Sequence, residues 1–397
     1  MAYLERPSLF IDNGVALLRD SSFGDGTIEF DLALHGHASF AGVAFRALSG
    51  DDYELIYLRP HLSRRPDALQ YTPIYNGSEA WQLYSGPGYT AEAELPLNRW
   101  LHVKLVVSGY AARLFVDGAA NPQLTVTSLR RPWTRGMIGL WGALGGANFS
   151  NVIVSPADTT APAARPAEPP PGRHTLTTWE LSPAFETTLV KDDVLPDRAA
   201  LSAFAWTSVT ADSSGLVNIA EHRRRTRTSA SSLALVFARS VITASRAQRM
   251  KLVFAYSDRV HVFVNGSLLF AGDSGFQSRD PSFLGIASLG PDAIYVDLRP
   301  GPNEIVLAVS EKFGGWGFAA RLEPLEPEPE PERHSEGTAL LCKSVALVLR
   351  QRGHYSQRNT FADTAVNSRN ITANAAASPT WADQPSPCQI PRSSDTA

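Results

Sequence analysis

The segment YELIYLRPHLSRRPDALQYTPIYNGSEAWQLY, residues 53–84, concentrates aromatic rings and planar polar side chains. Tyr53, Leu55, Tyr57 and Arg59 alternate with Glu54, Ile56 and Leu58, so on an extended strand Tyr57 and Arg59 share a side. Ligands that present both C–H faces and hydroxyls, as sugars do, are matched by a ring set beside hydrogen-bonding groups. Tyr57, Arg59, His61, Gln70, Tyr71, Asn76 and Trp81 supply that chemistry. The competing use of the same residues is structural, with rings packed inside a β-sandwich and only their O–H or N–H reaching an edge. A second place of this kind is EKFGGWGFAARLE, residues 311–323. There Trp316 sits among glycines that let the backbone approach a ligand, or else it plugs a tight Gly-Gly-Trp-Gly corner. The segment GDSGFQSRDPSF, 272–283, is expected beside it as a long loop.

Other reactive residues are sparser. Glu29 and Asp31 stand two apart on a strand and share a face, with Ile28, Phe30 and Leu32 on the other, which is the pattern of a half-exposed strand with a solvated acidic side. His35-Gly36-His37 places two imidazoles on one side without a third ligand, so no metal is assigned. Asp25, Asp51 and Asp52 are the acids a calcium ion would use, but they lack the dense oxygen run of a dedicated calcium loop, and no cofactor is expected. Nucleophile-elbow, phosphate-loop and dinucleotide patterns are absent.

Lys and Arg total 36 against 39 Asp and Glu, a net charge of -3. That balance gives no reason to expect nucleic acid as a partner. The run Arg223-Arg224-Arg225, followed by Arg227, is expected to be a solvated loop. Cys342 and Cys388 build neither a disulfide framework nor a zinc site. The opening MAYLERPSLFIDNG lacks the basic start and apolar run of a signal peptide, and no stretch approaches the roughly 18 apolar residues of a membrane helix, so no membrane insertion is expected.

The elements that must carry these residues read as strands. Asn265-Gly266 in RVHVFVNGSLLF and Asp117-Gly118 in ARLFVDG suit type I′ turns, whose central residues both need positive φ. Val260, Val262 and Val264 point one way and His261 and Phe263 the other, so that strand is buried on one face and half-buried on the opposite one. Short alternating segments at spacings of roughly 8 to 20 residues fill both 1–155 and 174–323. The fold class is therefore all-β: two antiparallel β-sandwich jelly-roll domains, 1–155 and 174–323. They are joined by the Pro-rich linker 156–173, which must be extended because so many residues lack an N–H. Residues 324–397 hold the Glu-Pro run and a largely disordered tail in which 338–353 has the pattern of one short helix.

At GTIEFDL, YELIYLRPH, QYTPIYNGSEAWQLY, RWLHVKLVVSG, LFVDG and GLWG the first domain resembles the concanavalin A-like, laminin G-like jelly rolls. The resemblance is to the 3-keto-disaccharide hydrolase type related to glycoside hydrolase family 16. The second domain, through VFVNGSLLFAG and LRPGPNEIVLAV, is similar to galactose-binding-type jelly rolls. Two functions follow from resemblance. One is a carbohydrate-binding or adhesion-type protein without turnover, whose partner is a carbohydrate or glycoconjugate. The other is a hydrolase of the 3-keto-disaccharide type acting through the first domain, with Glu54, His61 and Glu79 as its acids and bases. Family 16 cleavage uses three acids on alternate positions of one strand, and here the third position is Ala33. Resemblance also implies an extracytoplasmic setting.

Overall fold

The computed structural model describes residues 2–36, 39–157, 165–226 and 232–325. His37, Arg227, Cys342, Cys388, the 338–353 helix pattern and the tail lie outside the described residues. Strands dominate what is described; helix is confined there to Arg198–Ala203, Ile219–His222 and a 3-10 turn at Pro60–Leu62. The all-β expectation holds, and every strand pairing among the described residues is antiparallel.

Four main sheets form two face-to-face pairs. The first sheet orders Leu124–Val126, Ala111–Val116, Trp100–Ser108, Gly26–Leu34, Ala147–Pro156 and Leu9–Ile11. The second orders Gly14–Leu17, Met137–Ala143, Phe40–Ser49, Asp52–Leu58, Leu69–Ile74 and Thr90–Ala91. Between them lies a core that includes Ile28, Phe30, Leu32, Ile56, Leu58, Val103, Leu105 and Phe149. The alternation seen in the sequence explains the placement: Ile56 and Leu58 enter this core, whereas Tyr53, Leu55 and Tyr57 pack with Trp141 in a second cluster on the opposite face of their sheet.

The third sheet runs Thr207–Thr210, Thr178–Leu181, Ala234–Ala244, Gly301–Glu311, Arg259–Val264 and Ser267–Asp273. The fourth runs Leu216–Asn218, Gly317–Pro324, Gln248–Ser257 and Asp292–Leu298. Val260, Val262 and Val264 enter the core between them, and Phe263 joins Leu235 and Phe237 on the outer face, where Phe185, Phe204 and Trp206 cover it. Both faces of this strand are thus apolar because residues 185–206 supply an extra layer.

Both turns have the expected backbone: φ is 57° and 75° at Asp117 and Gly118, and 50° and 86° at Asn265 and Gly266. Only the second is a two-residue hairpin, with Val264 opposite Ser267. After Asp117-Gly118 the chain re-enters the ladder at Leu124, paired with Leu114. Pro122 cannot donate to a ladder, and the Gln123 side chain takes the Val116 N–H at 2.9 Å instead.

Candidate functional site

Residues 75–89 leave the second sheet and dock on Ser257 of the fourth and on the loops around Ala220, Leu284 and Gly314. Gln82 is wholly buried. Its backbone N donates to Gly314 O at 2.9 Å and its O accepts from Ala287 N at 2.9 Å. Its amide donates to Leu284 O at 3.1 Å and accepts from Ser257 Oγ at 2.9 Å. A side chain at Gly285 or Gly314 would start 2.3 or 2.4 Å from the Gln82 amide, so those two positions admit only hydrogen there. Asn76 Nδ2 donates to Ala220 O at 2.9 Å, and the half-buried Trp81 meets Phe276 edge-on at 6.1 Å.

The basic run is irregular and partly exposed, as expected of a loop, and its arginines are also tied down: Arg223 stays within its own sheet pair, while Arg224 and Arg225 reach Asp51 and Gly77. Arg223 donates to Ser182 O at 2.8 Å and Leu181 O at 3.0 Å, Arg224 to Asp51 at 2.9 Å, and Arg225 to Lys312 O at 3.1 Å.

Several residues whose types suited ligand contact lie inside. Tyr71, Gln70 and Trp316 are at most 1% exposed. Trp316 fills the core of the second sheet pair and donates from Nε1 to Val309 O at 3.1 Å, which is the plug alternative. Tyr57 and Arg59 are also buried: Arg59 donates to Tyr57 Oη at 2.9 Å and Gln70 Oε1 at 2.7 Å, its guanidinium 5.4 Å from the Trp81 ring centre. His61 is exposed and stacks on Phe40 at 5.1 Å. Glu79 is half-buried, and burial raises its pKa against the pull of Arg225 and Arg59.

Glu54 faces the first core rather than solvent. Its pKa is raised, with burial the dominant cause. The Tyr71 hydroxyl donates to Glu54 at 2.7 Å and accepts from Arg130 N at 2.6 Å, while Arg131 N donates to the other Glu54 oxygen at 3.1 Å. Two residues singled out as ligand or catalytic groups therefore fix the backbone that presents Arg130.

Arg130 opens onto a cavity of about 420 Å³, lined by residues of both sheet pairs and of the spacer. Tyr84 and Tyr110 give it rings; Arg130, Arg165, Glu168, Asp212, Asn218 and Glu221 give it polar groups. Arg130 pairs with Glu168 at 3.2 Å and Asp212 at 3.4 Å and lies 5.2 Å over the Tyr84 ring. Arg165 donates to Arg130 O at 2.9 Å and covers the Tyr110 ring at 4.8 Å. Glu168 accepts from Ser213 N at 3.1 Å, so the described part of the spacer is fastened at both Arg165 and Glu168. None of these lining residues is marked by a motif in the sequence. Tyr84 closes the aromatic segment 53–84, but Asn218 and Glu221 come from a stretch more than 130 residues away.

The remaining reactive groups are already engaged. Asp25 holds the buried Arg46 at 2.7 Å and accepts from Trp133 Nε1 at 3.2 Å. Asp52 pairs with Arg131 at 3.2 Å and accepts from Asn76 N at 3.1 Å. His35 meets Asn148 Oδ1 at 2.5 Å. Glu29 and Asp31 lie on the outer face of the first sheet, Asp31 3.1 Å from Nδ1 and Glu29 3.1 Å from Nε2 of His102. Among the described residues no three His, Cys, Asp or Glu side chains converge as a metal site, and no helix is long and apolar enough to cross a membrane.

No protein-family model and no curated protein matches the sequence. Among solved structures, the chain is similar to a carbohydrate-binding module, CBM66, from Bacillus subtilis, at 16% identity, TM-score 0.28, covering 37% of this chain and 90% of that one. It is also similar to the Caenorhabditis elegans galectin LEC-6, at 18% identity, TM-score 0.26, covering 37% and 95%. A third similarity is to a Bacillus licheniformis beta-glucanase, at 14% identity, TM-score 0.24, covering 35% and 69%.

Proposed function

We propose that the chain is a carbohydrate-recognition protein of two β-sandwich modules, 1–155 and 174–323, which binds its ligand without turnover. The observation that supports this most is the 420 Å³ cleft, where two tyrosine rings converge with an amide, guanidinium groups and carboxylates. Concave sites with fixed donors and acceptors suit saccharide hydroxyls, and here Arg130 and Arg165 lie over the Tyr84 and Tyr110 rings beside the carboxylates. Of the acids named for the hydrolase reading, Glu54 spends both oxygens on Tyr71 and Arg131 and does not line the cleft.

A glycan array probed with the full chain tests the proposal, with chromatography of each bound glycan after incubation. Binding with every glycan recovered intact is expected. Release of a sugar, abolished by Glu79→Gln or His61→Ala, would overturn the absence of turnover. Silence across the array would overturn carbohydrate recognition altogether.

A further inference from the structure

A groove of about 400 Å³ lies on the outer face of the first sheet and shares no lining residue with the cleft. Its floor is His102, Lys104, Val106, Arg113 and Phe115, and Gly118–Ala120 forms one wall. Strand pairing explains the floor. Alternation turns 102, 104 and 106 of one strand and 113 and 115 of the next outward, and the register sets Lys104 opposite Phe115 and Arg113 opposite Val106. Two cations thus stand diagonally across two half-buried apolar side chains. The wall exists because the chain, after Asp117-Gly118, re-enters the ladder only at Leu124.

Charge decides what fits. Three acids are near: Glu29, opposite Lys104 on the neighbouring strand, then Asp31 and Asp117. Each is already held. Glu29 meets His102 Nε2 at 3.1 Å, Asp31 meets His102 Nδ1 at 3.1 Å, Arg6 at 2.7 Å and Asn151 at 2.6 Å, and Asp117 pairs with Arg99 at 2.6 Å. Among the described residues Lys104 and Arg113 have no such partner, and no carboxylate lines the groove. These two positive charges are therefore open to a ligand, although the chain as a whole carries a net charge of -3. Partial burial of Lys104 reduces screening by water, so an anion gains more there than at a fully exposed lysine. A carboxylate or sulfate accepts from the ammonium and, through two oxygens, from the planar guanidinium. Phe115 and Val106, lying between the cations, match the C–H face of the ring that bears the acid.

We infer that this groove is a second ligand site, which takes the carboxylate or sulfate of an acidic sugar unit on Lys104 and Arg113; that the acid belongs to a sugar rests on the carbohydrate reading above. Calorimetric titration of the full chain with digalacturonate, lactose 3′-sulfate and lactose at low ionic strength tests it. The first two separate carboxylate from sulfate. At least one of them should bind about tenfold or more tightly than lactose, the scale of one charge-assisted hydrogen bond. Raising NaCl to about 0.5 M should erase most of that margin, because salt shortens the reach of exposed charge. Lys104→Ala combined with Arg113→Ala should abolish the margin and leave binding of neutral glycans on the array unchanged. Thermal melts report whether that variant is folded, and Lys104→Gln and Arg113→Gln made singly carry the same test if it is not. An acid preference that survives in the folded variants would overturn the groove as the site. Neutral glycans bound with no preference for acidic ones would overturn it as well and leave carbohydrate recognition standing. Silence toward every sugar, on the array and in solution, would sink the carbohydrate reading and this site with it.

Discussion

Asp258 is a carboxylate held at a strand corner, 5% exposed, accepting from Lys312 N at 2.8 Å and Phe313 N at 3.2 Å. Burial, with Asp273 adding like charge, pushes its pKa up to about 6 despite those two bonds. An acid whose folded pKa is raised binds its proton more tightly in the fold than in the unfolded chain. Stability from this group therefore falls as pH rises from about 4 to about 6 and is flat above. The loss is on the order of 3 kcal/mol, since each tenfold gain in proton affinity is worth about 1.4 kcal/mol. Glu54, whose pKa is also raised, acts in the same direction. Urea unfolding at pH 4.5 and pH 7.5 should find the chain more stable at the lower value, and Asp258→Asn should shrink the difference without abolishing it, since Glu54 remains. At this scale the sequence was partly legible. Period two placed Tyr57 with Arg59 correctly, but alternation says only which face a side chain takes. It does not say that a second layer covers the face, so Tyr71, Gln70 and Trp316 were indistinguishable from exposed ligand groups.

Among elements, the twin Phe-Val-(Asn/Asp)-Gly turns show how one local signal serves two energetic roles. Asn265 donates to Asn303 Oδ1 at 2.9 Å and accepts from Glu304 N at 3.1 Å, and Asn303 is wholly buried. Asp117 only pairs with exposed Arg99 at 2.6 Å. Asn265→Ala is therefore expected to cost about 2–3 kcal/mol, combining left-handed backbone strain with unmet buried groups, whereas Asp117→Ala should cost about 1 kcal/mol, mostly strain. Denaturant midpoints of the two variants check the ordering. Turn type was readable from residue pairs because positive φ is a property of the residue itself. The first turn's longer return was not, since it depends on Pro122 and on the Gln123 side chain supplying the missing partner. Strand identity was likewise legible, while the covering segment 185–206 lacked a period that marks it as a layer.

At the scale of the whole molecule, the two sheet pairs are coupled through one buried glutamine, Asn76, Arg224 and Arg225. Gln82→Ala removes two side-chain hydrogen bonds, leaves Leu284 O and Ser257 Oγ without their partner, and opens space beneath Gly314, at a cost of about 2–4 kcal/mol. Calorimetry of the native chain should give one cooperative transition over residues 2–325, and Gln82→Ala should separate it into two. A native trace already split into two would remove the coupling role. The junction was hidden from sequence because its residues, Asn76, Gln82, Arg224 and Arg225, satisfy partners far along the chain, and no local pattern records such pairings.

The fastened spacer has a practical outcome for anyone dissecting the gene. Arg165 and Glu168 come from the proline-laden stretch, Tyr84 and Arg130 from one flank of it and Asn218 from the other. A fragment ending before residue 156 or starting after 173 thus lacks part of the chamber wall, and its silence toward any compound would say nothing about the intact polypeptide.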